Sequence, residues 1–384
     1  MIVTSRNLRH NHALNDSAAE IVPLGTTPLS PAAAKPAGGD VSLWARLRDW
    51  KTLLGFGISA AIVLLFIFSA HLNLAQVWDN IRLADVRLLA LALGAYFGAF
   101  FLRGLRWRLL LRKAELGTDV QISPLPRLVE MIYLSWFVNC LVPAKLGDGY
   151  RAYLFKKETG ADMGRVLGTV VGERVADVLA LVALLVVSSS LVLGQLAGAQ
   201  DDLTVIVVAA LGLAVALGAG IAALKIGSGR LARLLPQRWQ QLFARFSEVL
   251  LRIFRRDMQM PLYGLTAMIW AGEVLRIWLV LLSFHITGLA PGVVVFTALA
   301  GSLLSTIPFT PAGLGAVEGA SVAILGAFGV ASSLAGAVAV LDRVINYWSN
   351  IPVGGLVYLI SSRRSRRRIQ QTVSEAHSVI RKLQ

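Results

Sequence analysis

The sequence predicts an all-α polytopic membrane protein: a helical bundle with two broken, re-entrant hairpins related as an inverted-topology internal repeat. Three observations carry that expectation. Of 384 residues, 56% are hydrophobic and only 15% charged, with a mean hydropathy of +0.66, too little polar surface to cover a water-soluble globule. Apolar runs such as Leu53 to Leu72 are long enough to cross a hydrocarbon core about 30 Å thick. Two further apolar regions are interrupted by Pro and Gly and share a motif. A soluble enzyme or signalling domain is excluded. A formal net charge of +15 would suggest nucleic acid in a soluble chain. Here the basic residues flank apolar segments, so they read as topology signals and contacts for anionic lipid headgroups, with no nucleic-acid partner.

Along the chain, residues 1–50 lack helical periodicity and hold Pro23, Pro28, Pro31 and Pro36 among Ala, Gly and Ser, which predicts a disordered cytoplasmic tail. Six long apolar segments follow, near 53–74, 86–105, 173–194, 203–224, 262–284 and 337–360, each expected to be a membrane helix. The broken regions are 127–165 and 292–330. Within the stretch 228–256, Trp239, Leu242, Phe246, Val249 and Ile253 recur at helical spacing opposite Arg238, Arg245 and Arg252. This is an amphipathic helix, lying on the inner membrane surface or packed under the bundle. Residues 363–384 form a basic tail. Cys140, the single cysteine, reads as a small hydrophobe in an apolar stretch.

Lys and Arg favour the cytoplasmic side of a membrane. The linker 103–127 carries six and the stretch 143–165 carries five, so the apolar piece between them enters and leaves on one side as a hairpin. The loop 225–261 carries eight and the tail from 361 seven, while the loops 195–202 and 285–291 carry none. Both termini are therefore expected in the cytoplasm, in the inner cell membrane.

The broken regions read PAKLGDG, from Pro143 through Gly147 and Asp148 to Gly149, and PAGLGAVEG, from Pro311 through Gly313, Gly315 and Glu318 to Gly319. Glu173-Arg174 follows the first proline by 30 residues, and Asp342-Arg343 follows the second by 31. Arg103 and Arg276 precede them in apolar helices. Three matched features in one order, on segments of opposite direction, define an inverted repeat of 51–194 against 195–362, an arrangement many secondary transporters use for alternating access.

Charges inside membrane helices are expensive, on the order of 2.5 to 3.5 kcal/mol each on insertion scales, so such residues face a partner or a wet cavity. Glu273 and Arg276 share one helix face and can pair. Asp342 and Arg343 point about 100° apart and each needs another partner. Glu173, Arg174 and Asp177 lie at the inner end of their helix, and Asp148, Arg151 and Glu318 lie beside the helix breaks. Arg side chains fork onto phosphate oxygens, which suits an anionic headgroup; the alternative is that these charges only cross-link helices. The five His are scattered and no phosphate-binding glycine loop is present, so neither a metal nor a nucleotide cofactor is expected.

The stretches VPAKLGDGYRAYLFKKETG, VVGERVADVLALVALL, IPFTPAGLGAVEGASVAILGAFGV and LDRVINYWSN resemble the lysylphosphatidylglycerol synthase transmembrane-region family, also called flippase-like domain proteins. The resemblance covers about residues 50 to 362. It implies a lipid flippase, and carries functional positions onto Pro143, Gly147, Asp148, Arg151, Glu173, Arg174, Asp177, Pro311, Gly313, Gly315, Glu318, Gly319 and Arg343. Asp148 stands where the family more usually has Glu. The chain stops soon after Arg368, without the soluble aminoacyl transferase domain of bifunctional members, so synthesis of the aminoacylated lipid is not expected. The leading expectation is movement of a phospholipid or glycolipid between leaflets. The alternatives are an intramembrane lipid-linked glycosyl or acyl transferase with Asp148 or Glu318 as general base, and a non-catalytic partner of a lipid-modifying enzyme.

Overall fold

Every regular element among the described residues is helical. The computed structural model describes residues 73–116, 120–141, 146–192, 200–233, 235–306 and 313–364. The N-terminal tail, most of the apolar segment 53–74, Pro143, Pro311 and nearly all of the basic C-terminal tail lie outside the described residues. Among the described residues three helices are long and apolar enough to cross a membrane: α2 (Val86–Lys113), α5 (Met163–Val192) and α8 (Arg256–Ser283). At 1.5 Å per residue the 28 residues of α2 reach about 42 Å, beyond a hydrocarbon core of about 30 Å. The chain is a polytopic helical membrane protein.

A short helix, α1 (Leu74–Leu83), precedes α2, in the stretch between the expected membrane helices 53–74 and 86–105. Asn73 starts it by accepting from the Ala75 and Gln76 amides, and Asp85 caps α2 through the Arg87 amide at 2.8 Å. The first broken region is two packed helices, α3 (Leu125–Leu141) and α4 (Leu146–Thr159). After α5 come α6 (Gln200–Arg233), α7 (Gln237–Ile253) and then α8. The second broken region is α9 (Pro291–Thr306) packed on α10 (Ala316–Ala327). The chain ends in α11 (Ser332–Arg343), a π-helical turn over Val344–Trp348, and α12 over 350–364. Helices α2 and α8 pack extensively along each other at the centre, with α3, α5 and the π turn also against α2.

Several boundaries differ from the sequence reading, each for a physical reason. Arg103 does not end its helix: α2 runs nearly three turns further, because Arg103 and Arg106 are buried in ion pairs rather than emerging into a basic linker. The amphipathic helix spans 237–253 rather than 228–256, since Pro236 separates it from α6. It packs along α5. Gly164, Gly168 and Gly172 line one face of α5, and a Cβ at any of them would meet α7 within 3.0 Å, at the Leu242 carbonyl, the Phe246 carbonyl and Ile253 respectively. The segment 337–360 is not one regular helix but is interrupted by the π turn.

The glycines of the two motifs divide into two roles. Gly313 and Gly315 have φ of +72° and +88°, a conformation that favours glycine, and they do break the chain ahead of α10. Gly147, Gly149 and Gly319 are not helix breaks; they lie inside α4 and α10. Gly147 instead permits a close crossing, because a Cβ there would fall 1.9 Å from the Ser135 carbonyl oxygen of α3.

Candidate functional site

Where the hairpins meet α2, α5, α8 and α11, the structure encloses a cavity of about 340 Å³. Its polar lining includes Arg103, Asp148, Arg174, Asp177, Glu273, Arg276, Asp342 and Arg343, and its walls include Tyr96, Trp136, Trp270 and Tyr347. Eight of the eleven charged residues singled out in the sequence thus converge on one space. Of the other three, Arg151 and Glu318 sit behind it as partners of the lining residues Asp148 and Arg343, and Glu173 pairs with Arg151.

On one side the charges close into a ring. Arg174 grips Asp148 with two bonds of 2.8 Å and approaches Asp177 at 3.6 Å. Asp177 takes a forked contact from Arg106 at 2.5 and 3.0 Å, and Arg106 reaches Glu173 at 3.0 Å. Glu173 receives Arg151 at 3.2 Å, and Arg151 returns to Asp148 at 3.8 Å. Three arginines and three carboxylates therefore tie α2, α4 and α5 together with no net charge. Arg106 and Arg151 are fully enclosed, at 0% and 1% exposure, so their charge is tolerable only because partners surround it.

The opposite wall is built from the later helices. Arg276 bridges Glu273 at 3.2 Å and Asp342, and Arg103 of α2 reaches across to Glu273 at 2.7 Å. Arg343 bonds Glu318 at 2.8 Å. The second Glu318 oxygen accepts from the Gly315 amide at 2.7 Å, so one carboxylate both closes the start of α10 and receives Arg343. Asp342 and Arg343, adjacent in sequence, take partners on different helices.

Broken helices release backbone groups that must be satisfied inside a membrane. Asn139 accepts from the Gly147 amide at 2.8 Å, stitching the start of α4 to α3, and Tyr347 donates to the Cys140 carbonyl at 2.9 Å at the end of α3. The π turn frees the Asn346 carbonyl, which accepts from Tyr96 at 3.0 Å and from the Asn350 amide at 2.6 Å. Cys140 is buried with Leu314 and Tyr347.

The sequence reading missed Arg106, counting it among linker charges, although its place three residues after Arg103 puts both on one helix face. It also missed Tyr96, Asn139, Asn346 and Asn350. No spacing rule marks such uncharged polar residues when their partners are more than 200 positions away, as for Tyr96 and Asn346. Among the described residues no cluster of His, Cys, Asp and Glu could hold a metal ion.

The fold and this cavity define a class: integral membrane proteins of broken helices around a charged, partly aromatic interior. More narrowly, the chain belongs to the lysylphosphatidylglycerol synthase transmembrane-region family, whose model matches residues 52–354. It is 33% identical over 230 residues to a UPF0104 membrane protein of Methanocaldococcus jannaschii, covering 59% of this chain and 95% of that one. A UPF0104 membrane protein of Methanothermobacter thermautotrophicus is 25% identical over 332 residues, 81% of this chain and 95% of the relative. A Haloferax volcanii protein named as the glycosyltransferase AglD is 26% identical over 341 residues, which are 79% of this chain and 54% of that protein.

Proposed function

We propose that this protein moves a phospholipid or glycolipid with an anionic headgroup between the leaflets of the cytoplasmic membrane, both its termini lying in the cytoplasm. The observation that carries the reading is the cavity of about 340 Å³, in which Arg103, Arg174, Arg276 and Arg343 line an otherwise membrane-embedded interior. Forked guanidinium contacts suit phosphate oxygens. The two hairpins support an inverted repeat of 51–194 against 195–362: Arg174 meets Asp148 as Arg343 meets Glu318, each an arginine of a long segment gripping an acid at the start of a hairpin helix. Such a repeat supplies two related conformations for alternating access.

The relative named as a glycosyltransferase motivates a second reading, lipid-linked group transfer with Asp148 or Glu318 as base. Against it, nearly half of that relative lies outside the match, and both carboxylates are engaged by arginine at 2.8 Å, which occupies the lone pairs a base would use. Purified protein reconstituted into liposomes with fluorescent lipids of several headgroups separates the readings. Protein-dependent, headgroup-dependent loss of outer-leaflet label without a new lipid species is expected; formation of a new lipid with no movement would replace transport by transfer.

A further inference from the structure

We propose that the protein is a proton symporter, in which one proton binds Asp148 for each singly charged lipid moved. This rests on the lipid-transport reading and supplies its driving force. Among the described residues, the cavity and the groups paired behind it hold six arginines and six carboxylates, so their charges cancel. A headgroup with one negative charge makes the occupied interior anionic. Uncompensated charge inside a membrane is costly, and a buried ionisable group relieves it by changing its protonation. One proton restores neutrality, so lipid and proton cross together.

The geometry selects Asp148 among the six carboxylates. The side chains of Arg174 and Asp148 are 34% and 17% exposed and both line the cavity, whereas Arg343 is 6% exposed. Arg174 is therefore the guanidinium that an entering phosphate reaches, and its two bonds of 2.8 Å to Asp148 are the ones contested. Glu318, the counterpart on the second hairpin, also accepts the Gly315 amide, a bond that favours its ionised form whether or not Arg343 moves. Asp177, also on the lining, stays forked on the enclosed Arg106.

Once phosphate and carboxylate share Arg174, two like charges face each other, and such a pair retains one proton. Facing Asp148 are Arg151 on its own helix at 3.8 Å, and, on the two helices packed against α4, Ser135 of α3 at 3.5 Å and Arg174 of α5. Arg151 is nearer to Glu173, at 3.2 Å, and Asp177 stands 3.6 Å from Arg174, so two carboxylates already offset the two arginines. Across the cavity, Arg103 and Arg343 are engaged by Glu273 and Glu318. The added phosphate therefore decides the sign. A proton from water on the loading side bonds a carboxylate oxygen of Asp148, and the neutral carboxyl donates to a phosphate oxygen. On release Arg174 closes on Asp148 again and the proton returns to water on the far side; no other bond forms or breaks. By linkage, lipid tightens proton binding as much as acid on the loading side tightens lipid binding.

The test uses vesicles of zwitterionic lipid holding the full chain and a trace of fluorescent phosphatidylglycerol, a singly charged phosphodiester, with outer-leaflet label read by quenching. With the lumen about one pH unit more alkaline than the medium, label should accumulate in the inner leaflet by about tenfold, the ratio that one proton per lipid sets, while protein-free vesicles lag behind. An imposed potassium diffusion potential should leave that ratio unchanged, because the moving complex is neutral. Asp148→Asn keeps the side-chain length and takes up no proton, so the label it still moves should ignore the pH gradient and follow the potential. Label that moves in the native protein yet stays evenly distributed against the gradient would overturn the coupling and leave lipid transport standing. A distribution set by a sodium gradient or by the potential would do the same. A pH response that persists in Asp148→Asn would overturn Asp148 as the proton's site. Native protein that moves no label under any of these conditions would overturn lipid transport and the coupling together.

Discussion

Replacing Arg343 tests whether its ion pair is scaffold, machinery or both. Its Nε lies 2.8 Å from Glu318 Oε1, with side-chain exposures of 6% and 15%, so the pair is nearly dry. Removing one partner of a buried pair is destabilising by about 3 to 5 kcal/mol. Because Glu318 keeps the Gly315 amide at 2.7 Å, the lower end applies, about 3 kcal/mol, or roughly a 150-fold fall in the folded-to-unfolded ratio. Arg343→Ala should therefore lower the thermal midpoint in detergent clearly, and Glu318→Gln in the same chain should recover much of the loss. Arg343→Lys keeps the charge but not the planar fork, and should purify as a monodisperse protein with strongly reduced lipid movement. A well-folded Arg343→Ala protein that transports at the native rate would refute both the pairing energetics and the headgroup role.

Other outcomes follow from close approaches and charge. Gly147→Ala should abolish folded yield, measured by size-exclusion profile, because its Cβ would overlap the Ser135 carbonyl. Gly168→Leu should lower stability by about 1 to 3 kcal/mol in a thermal melt, since even its Cβ would lie 2.9 Å from the Phe246 carbonyl and Val249. Arg106→Met should destabilise more than Arg343→Ala, as it strips partners from both Glu173 and Asp177. Single cysteines at Gln200 and Gly288, in a chain lacking Cys140, should react with an impermeant thiol reagent from outside intact cells; reaction only after lysis would reverse the proposed topology.

The helical class, the two broken regions and most of the charged lining were legible in the sequence because each rests on a local or periodic signal. Continuous apolar runs fix long helices, and Arg276 three residues after Glu273 announces an ion pair within one face. Boundaries were less legible where charge and helix end are usually equated. Arg103 and Arg106 looked like the start of a linker because hydropathy falls there, yet a helix persists wherever its charges find partners, and those partners are 67 to 170 positions away. The π turn had no sequence signature. Its freed carbonyl is satisfied by Tyr96, 250 positions earlier, a contact that exists only once the bundle has assembled.

The pairing scheme also sorts the charges by what a headgroup could do to them. The ring of Arg106, Arg151 and Arg174 with Asp148, Glu173 and Asp177 is neutral, as are Arg103 and Arg276 with Glu273 and Asp342, and Arg343 with Glu318. A charge-balanced interior has no excess positive charge to offer an incoming phosphate. In the proposed cycle, binding is therefore an exchange, in which phosphate oxygens replace a carboxylate on an arginine already in place. Arg106 and Arg151, each with a side chain 1% exposed, cannot be reached without dismantling the bundle, which assigns them to the scaffold. Arg174 is the most open of these six arginines, at 34%, and its forked partner Asp148 sits on the hairpin helix α4. In that proposed cycle a phosphate competing for Arg174 would loosen the grip of α5 on α4, so that occupancy of the cavity and freedom of α4 would form one equilibrium.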